Sequence, residues 1–127
     1  MAKPLLCLDF DGVLHSYASG WTTADAVLDP PFPGAMEFLL EAVRTFRVAV
    51  FSSRSGRPGG IVAMAAWIDR HMALETGRDQ QNWAFNNLEF PEEKPPAFVT
   101  LDDRAICFTG KWPSMVELKN FKPWYKK

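Results

Sequence analysis

Apolar residues fall along this chain in short blocks that switch between two spacings. Leu5-Leu6-Cys7-Leu8 is a continuous apolar run, too brief for a helix and right for a buried strand. From Leu14 to Pro33 the periodicity lapses, and Gly20, Pro30, Pro31 and Pro33 mark a loop or small hairpin. Gly34 to Thr45 then carries Met36, Leu39, Leu40 and Val43 at helical spacing. A second strand, Val48-Ala49-Val50-Phe51, follows at once. After the breaker Pro58-Gly59-Gly60 a longer helix is predicted over roughly 61–75, with a core stripe of Ile61, Met64, Ala65, Ile68 and Met72 and a stop at Gly77. Residues 78–96 are polar and aromatic and match neither template. Phe98-Val99-Thr100-Leu101 reads as a third strand and Ala105 to Phe108 as a fourth, with a closing helical turn or two over 113–119. Strands alternating with helices predict an α/β fold with a mainly parallel central sheet.

Composition narrows this picture. A chain of 127 residues suits one core, so a single domain over 1–127 is expected, with residues 14–33 as a flap. Hydrophobic residues at 47% and charged residues at 23% are the balance of a globular protein, not of a disordered tail. The formal net charge of -1 provides no global positive field for a nucleic-acid partner. Cys7 and Cys107 each sit in a short apolar run and read as buried free thiols, which fits a reducing, cytoplasmic location. Two isolated Cys and two isolated His at these spacings build no zinc site. The apolar run before Asp9 is too short for a signal-peptide core or a membrane span, so no membrane partner is expected.

The polar residues have a pattern of their own. Three predicted strands run into Asp9 and Asp11, into Ser52 and Ser53, and into Asp102 and Asp103. In an open parallel sheet, ligands bind outside the carboxyl ends of the strands, so all three clusters would converge on one edge. Carboxylates forced together raise one another's pKa values unless a cation sits among them. Their hard oxygens suit Mg²⁺, and a carboxylate can itself attack phosphorus.

The run Leu8-Asp9-Phe10-Asp11-Gly12-Val13-Leu14 resembles the first signature of the haloacid dehalogenase (HAD) superfamily. Val50-Phe51-Ser52 resembles the second, Lys94 stands where the third places its basic residue, and Leu101-Asp102-Asp103 resembles the fourth. Together they span residues 5 to 103 in family order. The resemblance implies a Rossmann-like three-layer sandwich and an Mg²⁺-dependent phosphohydrolase working through an aspartyl-phosphate. Asp9 would be the nucleophile and Asp11 the general acid and base. Ser52, with Ser53 as the less favoured neighbour, would bind the phosphoryl oxygens. Lys94 would pair with nucleophile and phosphate. Mg²⁺ would be held by the Asp9 carboxylate, the Asp11 backbone carbonyl and Asp102, with Asp103 ligating directly or through water. Neither Asp11 to Ser52 nor Ser52 to Lys94 leaves room for a cap domain, which implies an open site. Small proteins of similar pattern include HAD modules of RNA-repair proteins, so a phosphorylated nucleotide or nucleic-acid end is one substrate class the resemblance offers.

Other residues divide between chemistry and packing. Arg54 and Arg57 follow the serines and either reach substrate phosphate or are surface charges. His15 reads as a solvated loop residue, His71 as structural and Trp67 as packing. Tyr17 and Trp21 lie in the flap, where they stack on substrate or pin the flap to the body. The tail Lys119-Asn120-Phe121-Lys122-Pro123-Trp124-Tyr125-Lys126-Lys127 interleaves bases with aromatics, a pattern of nucleic-acid contact and also of a tail packed through its rings. The alternative to an enzyme is a catalytically silent binding or regulatory module on the same fold.

Overall fold

Strand β1, Leu5–Leu8, sits second from one edge of a four-stranded parallel sheet. The computed structural model describes residues 2–126; Met1 and the last tail residue, Lys127, lie outside the described residues. Helix α1 is Ala35–Thr45, strand β2 Arg47–Val50, helix α2 Gly60–Thr76 and helix α3 Arg78–Phe85. Strand β3, Leu88–Glu89, strand β4, Val99–Leu101, helix α4, Met115–Lys119, and a 3₁₀ turn at Trp124–Lys126 complete the order. The sheet order is β3-β2-β1-β4 and every pairing is parallel. This is a small Rossmann-like α/β fold, a parallel sheet flanked by helices. No described helix is long and apolar enough to cross a membrane.

The core follows from the two periodicities. Leu6 and Leu8 of β1 share a face with Val48 and Val50 of β2. On that face they join Met36, Leu39 and Val43 of α1 and Met64, Ile68 and Met72 of α2 in one buried cluster. Each such side chain contributes roughly 1.5–3 kcal/mol through burial. Phe10 and Leu14, just past β1, belong to the same cluster and anchor the start of the flap. Trp67 packs edge-on to Phe10, and its Nε1–H donates to the Asp29 carbonyl at 2.9 Å, so it also holds the far end of the flap.

Register fixes the site. Leu8 of β1 lies opposite Val50 on one side and Leu101 on the other. The next residues, Asp9, Phe51 and Asp102, therefore leave the sheet side by side. Strand order reverses at β1, the position where parallel sheets open a crevice.

Two expectations need correction, and one stretch that matched neither template takes form. Ala105 to Phe108 is not a strand; no strand pairs with the outer edge of β4 among the described residues, and Ile106 and Phe108 are exposed. A short apolar run alone provides no ladder partner. Cys107 is exposed with them, whereas Cys7 is buried as expected. Residues 78–96 hold α3 and β3, which periodicity missed because α3 buries only Gln81 and Ala84 and leaves Trp83 exposed.

Candidate active site

One cavity of about 120 Å³ opens at the carboxyl end of the sheet. Asp9, Ser52, Ser53, Lys94 and Asp102 line it, from three strand ends and the loop that precedes β4. Cys7 and Thr100, paired across β1 and β4, form its floor with Phe51. Sequence reading had not placed Cys7 or Thr100 in the site. The signal was available, since both alternate away from the core face of their strands.

Oxygens of Asp9, Asp102 and Asp103 lie within 4.8 Å of one another. Burial, the closeness of the Asp103 carboxyl and the charge of Asp102 push the Asp9 carboxyl up to about 9, while the Phe10 backbone N–H, donating to Oδ1 at 2.9 Å, partly opposes them. Asp103 accepts a hydrogen bond from the Tyr125 hydroxyl on Oδ2 at 3.0 Å. Its Oδ1 is buried and has no hydrogen-bond partner among the described residues. An orphaned carboxylate oxygen beside two other carboxylates fits a divalent cation with hard oxygen ligands, and Asp9, Asp102 and Asp103 are the side chains that would hold it.

The sign of the pH response follows. Asp9 with a folded pKa above its unfolded value binds a proton that the unfolded chain has released. Cation-free protein therefore loses stability as pH rises from about 4 to about 9. Added Mg²⁺ at ~100 times its Kd should restore about 2.7 kcal/mol. Thermal melts at pH 5 and pH 8, with and without Mg²⁺, check this. The Mg²⁺-induced rise in Tm should be larger at pH 8.

Asp11 is not part of the carboxylate cluster. The Arg54 Nε–H donates to its Oδ2 at 2.9 Å and the Nη2–H to its Oδ1 at 3.1 Å. His15 Nε2 accepts the Asp29 backbone N–H at 3.1 Å, so the ring proton sits on Nδ1 and is donated to Asp11 Oδ1 at 2.8 Å. Burial alone would push the Asp11 carboxyl up. The hydrogen bonds from His15 and Arg54 and the guanidinium charge outweigh it and hold the carboxyl below its ordinary value.

This corrects two expectations. His15 is 1% exposed and structural to the site, not solvated. Arg54 is fully buried, and its Nη1 donates to the Thr23, Ala24 and Ala26 carbonyls at 3.0–3.1 Å. It is committed to Asp11 and the flap, with no exposed surface to offer a phosphate in this arrangement. Ser52 is likewise engaged: its Oγ accepts the Arg54 backbone N–H at 2.9 Å, and its own N–H donates to Ser55 Oγ. Ser53, beside it on the cavity wall, is exposed. Trp21 lies 4.9 Å from the Arg54 guanidinium and 5.6 Å from that of Arg57, so the flap is pinned by cation–π contact. Tyr17 sits edge-on to His15, and His71 packs against Trp67.

Two further side chains reach the site from the end of the chain. Besides Tyr125 on Asp103, the Trp124 Nε1–H donates to the Gly12 carbonyl at 3.1 Å. Of the alternatives for the tail, packing through its rings holds for these two residues. Gly12 has a φ of 83°, and a Cβ there would collide with Asp103 Oδ2 and the Tyr125 ring. Gly12→Ala is expected to displace Asp103, lower Tm and abolish the Mg²⁺-induced rise in Tm, measured by the same melts.

Comparison with family models, with characterised proteins and with solved structures gives no match to this chain. Fold alone does not assign chemistry, so function is argued from the cavity.

Proposed function

We propose that the protein is a capless Mg²⁺-dependent phosphohydrolase of the HAD type, acting on a phosphomonoester through an aspartyl-phosphate. The observation that carries this reading is the meeting of Asp9, Lys94 and Asp102 around one small cavity, with the unpartnered Asp103 oxygen beside it. When bound, Mg²⁺ would neutralise charge on the carboxylates and the transferring phosphoryl group. Asp9 attacks phosphorus as its carboxylate, forming the P–O bond of the acyl phosphate while the bond to the leaving oxygen breaks. Lys94 and a Ser53 hydroxyl are the available partners for the phosphoryl oxygens.

Asp11 then has two tasks. As the carboxylate held by Arg54 it is suited to take a proton from the hydrolytic water. To protonate the leaving oxygen in the first step it must first carry a proton itself. That proton comes from solvent in the first turnover and from the hydrolytic water in each later one, while the His15 Nδ1–H bonded to Oδ1 stays on the ring and orients the carboxyl. The alternative of a silent module draws on the same clamp, since an Asp11 that never leaves Arg54 would not serve as acid.

The test is a phosphoester panel with Mg²⁺, aryl phosphates and 3′- and 5′-phosphorylated oligonucleotides included. Turnover of at least one is expected, and no turnover of any would sink the enzymatic reading. Beryllofluoride separates the alternatives further: a competent Asp9 binds it and raises Tm, and Asp9→Asn does not.

A further inference from the structure

The chain is divided in charge as well as in packing. Residues 104–127 hold six Lys or Arg against one acid, Glu117, whereas residues 1–103 hold fourteen acids against eight bases. The same basic segment carries eight of the seventeen exposed large apolar side chains among the described residues. Trp112 is 87% exposed and Met115 72%, and with Ile106, Phe108 and Leu118 they line an open groove of about 910 Å³. The rings of Phe108 and Trp112 pack on each other, with centroids 4.8 Å apart.

The strand that precedes this segment carries a second bare feature. The outer edge of β4 is unpaired among the described residues. Val99 and Leu101 share the helix-covered face of the sheet with Leu6 and Leu8, yet both remain nearly half exposed, and Phe98 before them is 76% exposed. The segment leaves β4 through Asp103 and is tied back to that residue by the Tyr125 hydroxyl, so the groove is carried on a loop anchored at both ends beside the end of β4.

These side chains together expose on the order of 1,000 Å² of apolar surface, given ~150–250 Å² for each aromatic. The largest apolar patch on a monomer is about 300–600 Å². A standard protein interface takes about 800 Å² from each partner. Their summed apolar exposure is therefore of the size a dimer buries.

We propose that a second copy of this chain covers this side, in a twofold dimer in which the basic segment 104–126 of each copy packs on the β4 edge and acidic body of the other. Charge selects this arrangement. Two basic segments facing one another would repel, whereas each facing the partner's body is attracted. The aliphatic content of the groove (Ile106, Met115, Leu118) favours a protein surface over a nucleic-acid strand, which stacks on aromatics and leaves such residues bare. An isologous contact closes at two copies and leaves no free edge for further growth.

Sedimentation of the full chain over roughly 1–100 µM, a range bracketing micromolar affinity, tests this. Twice the 14.3 kDa chain mass is expected, with dissociation at high salt. Trp112→Glu, at an exposed position, should be folded by circular dichroism and monomeric throughout. Cys107 lies in the groove and Cys7 is buried, so Cys107 reports burial directly. Its alkylation should slow at least tenfold as the wild type dimerises and stay fast in Trp112→Glu. A wild type that remains monomeric, or a dimer unaffected by Trp112→Glu with Cys107 still reactive, overturns the proposal. A monomer that instead binds single-stranded oligonucleotide through Trp112, read by its fluorescence, overturns it in favour of the other partner class.

Discussion

Asp9→Asn is expected to abolish activity and, in the same molecule, to stabilise the cation-free fold. The two effects have one cause. Asp9 is held between Asp102 and Asp103, where burial and neighbouring carboxylates push its proton affinity up to about 9. That cost is present in the folded chain and absent from the unfolded one. Each pKa unit is worth about 1.4 kcal/mol, so near pH 7 an uncharged Asn should recover a few kcal/mol. Tm measured in chelator should rise, and the fall in stability between pH 4 and 9 should flatten. Turnover of any substrate found by the phosphoester panel should drop by at least ~10³-fold, since the covalent step loses its nucleophile. The Mg²⁺ effect on Tm should shrink with it. A variant both inactive and less stable would mean that Asp9 is a packing residue.

Arg54→Ala should have the largest cost in stability. The guanidinium is fully buried and makes contacts to both oxygens of Asp11 and to three flap carbonyls. Truncation leaves the Asp11 carboxylate with His15 alone and the Thr23, Ala24 and Ala26 carbonyls without their donor. Removing one partner of a buried pair costs about 3–5 kcal/mol, a large share of the 5–15 kcal/mol typical of a domain. Arg54→Lys should fall between, because a point charge cannot span both carboxylate oxygens and the carbonyls. Arg57→Ala, at an exposed position, should stay within ~0.5 kcal/mol. Denaturant melts give all three. Equal losses at Arg54 and Arg57 would remove the buried clamp from the account.

The difference between these two arginines was invisible in the sequence. Both follow the serines after β2, three residues apart, with the same charge and similar neighbours. Only the path of the flap decides that one is enclosed by carbonyls and the other left outside. His15 is the same case. It stands four residues after Asp11 on a loop, and the cavity that buries it is built by Trp67 and Asp29 from remote positions. Tyr125 on Asp103 spans 22 residues and the Trp124 contact with Gly12 spans 112, distances at which no local pattern speaks.

Much of the frame was legible, because it rests on local rules. Leu5–Leu8, the stripe of α1 and the core positions of α2 are periodicities that a strand or helix can satisfy in only one way. The order of strand-end acids and hydroxyls then brings Asp9, Ser52 and Asp102 to one sheet edge once the strands run parallel. The failures fall where burial is slight. Helix α3 turns mostly polar residues to solvent, and Ala105 to Phe108 is an apolar run of strand length with nothing to pair against. What the sequence by itself determined is therefore which residues stand at the carboxyl ends of the strands, since spacing along a chain sets that. What the tertiary structure alone decided is how each is held: Asp9 crowded by acids, Asp11 drawn aside by Arg54 and His15, Asp103 left with an unpaired oxygen. Proton affinity and hydrogen bonding depend on distances of a few ångströms between residues far apart in the chain, and only packing fixes those.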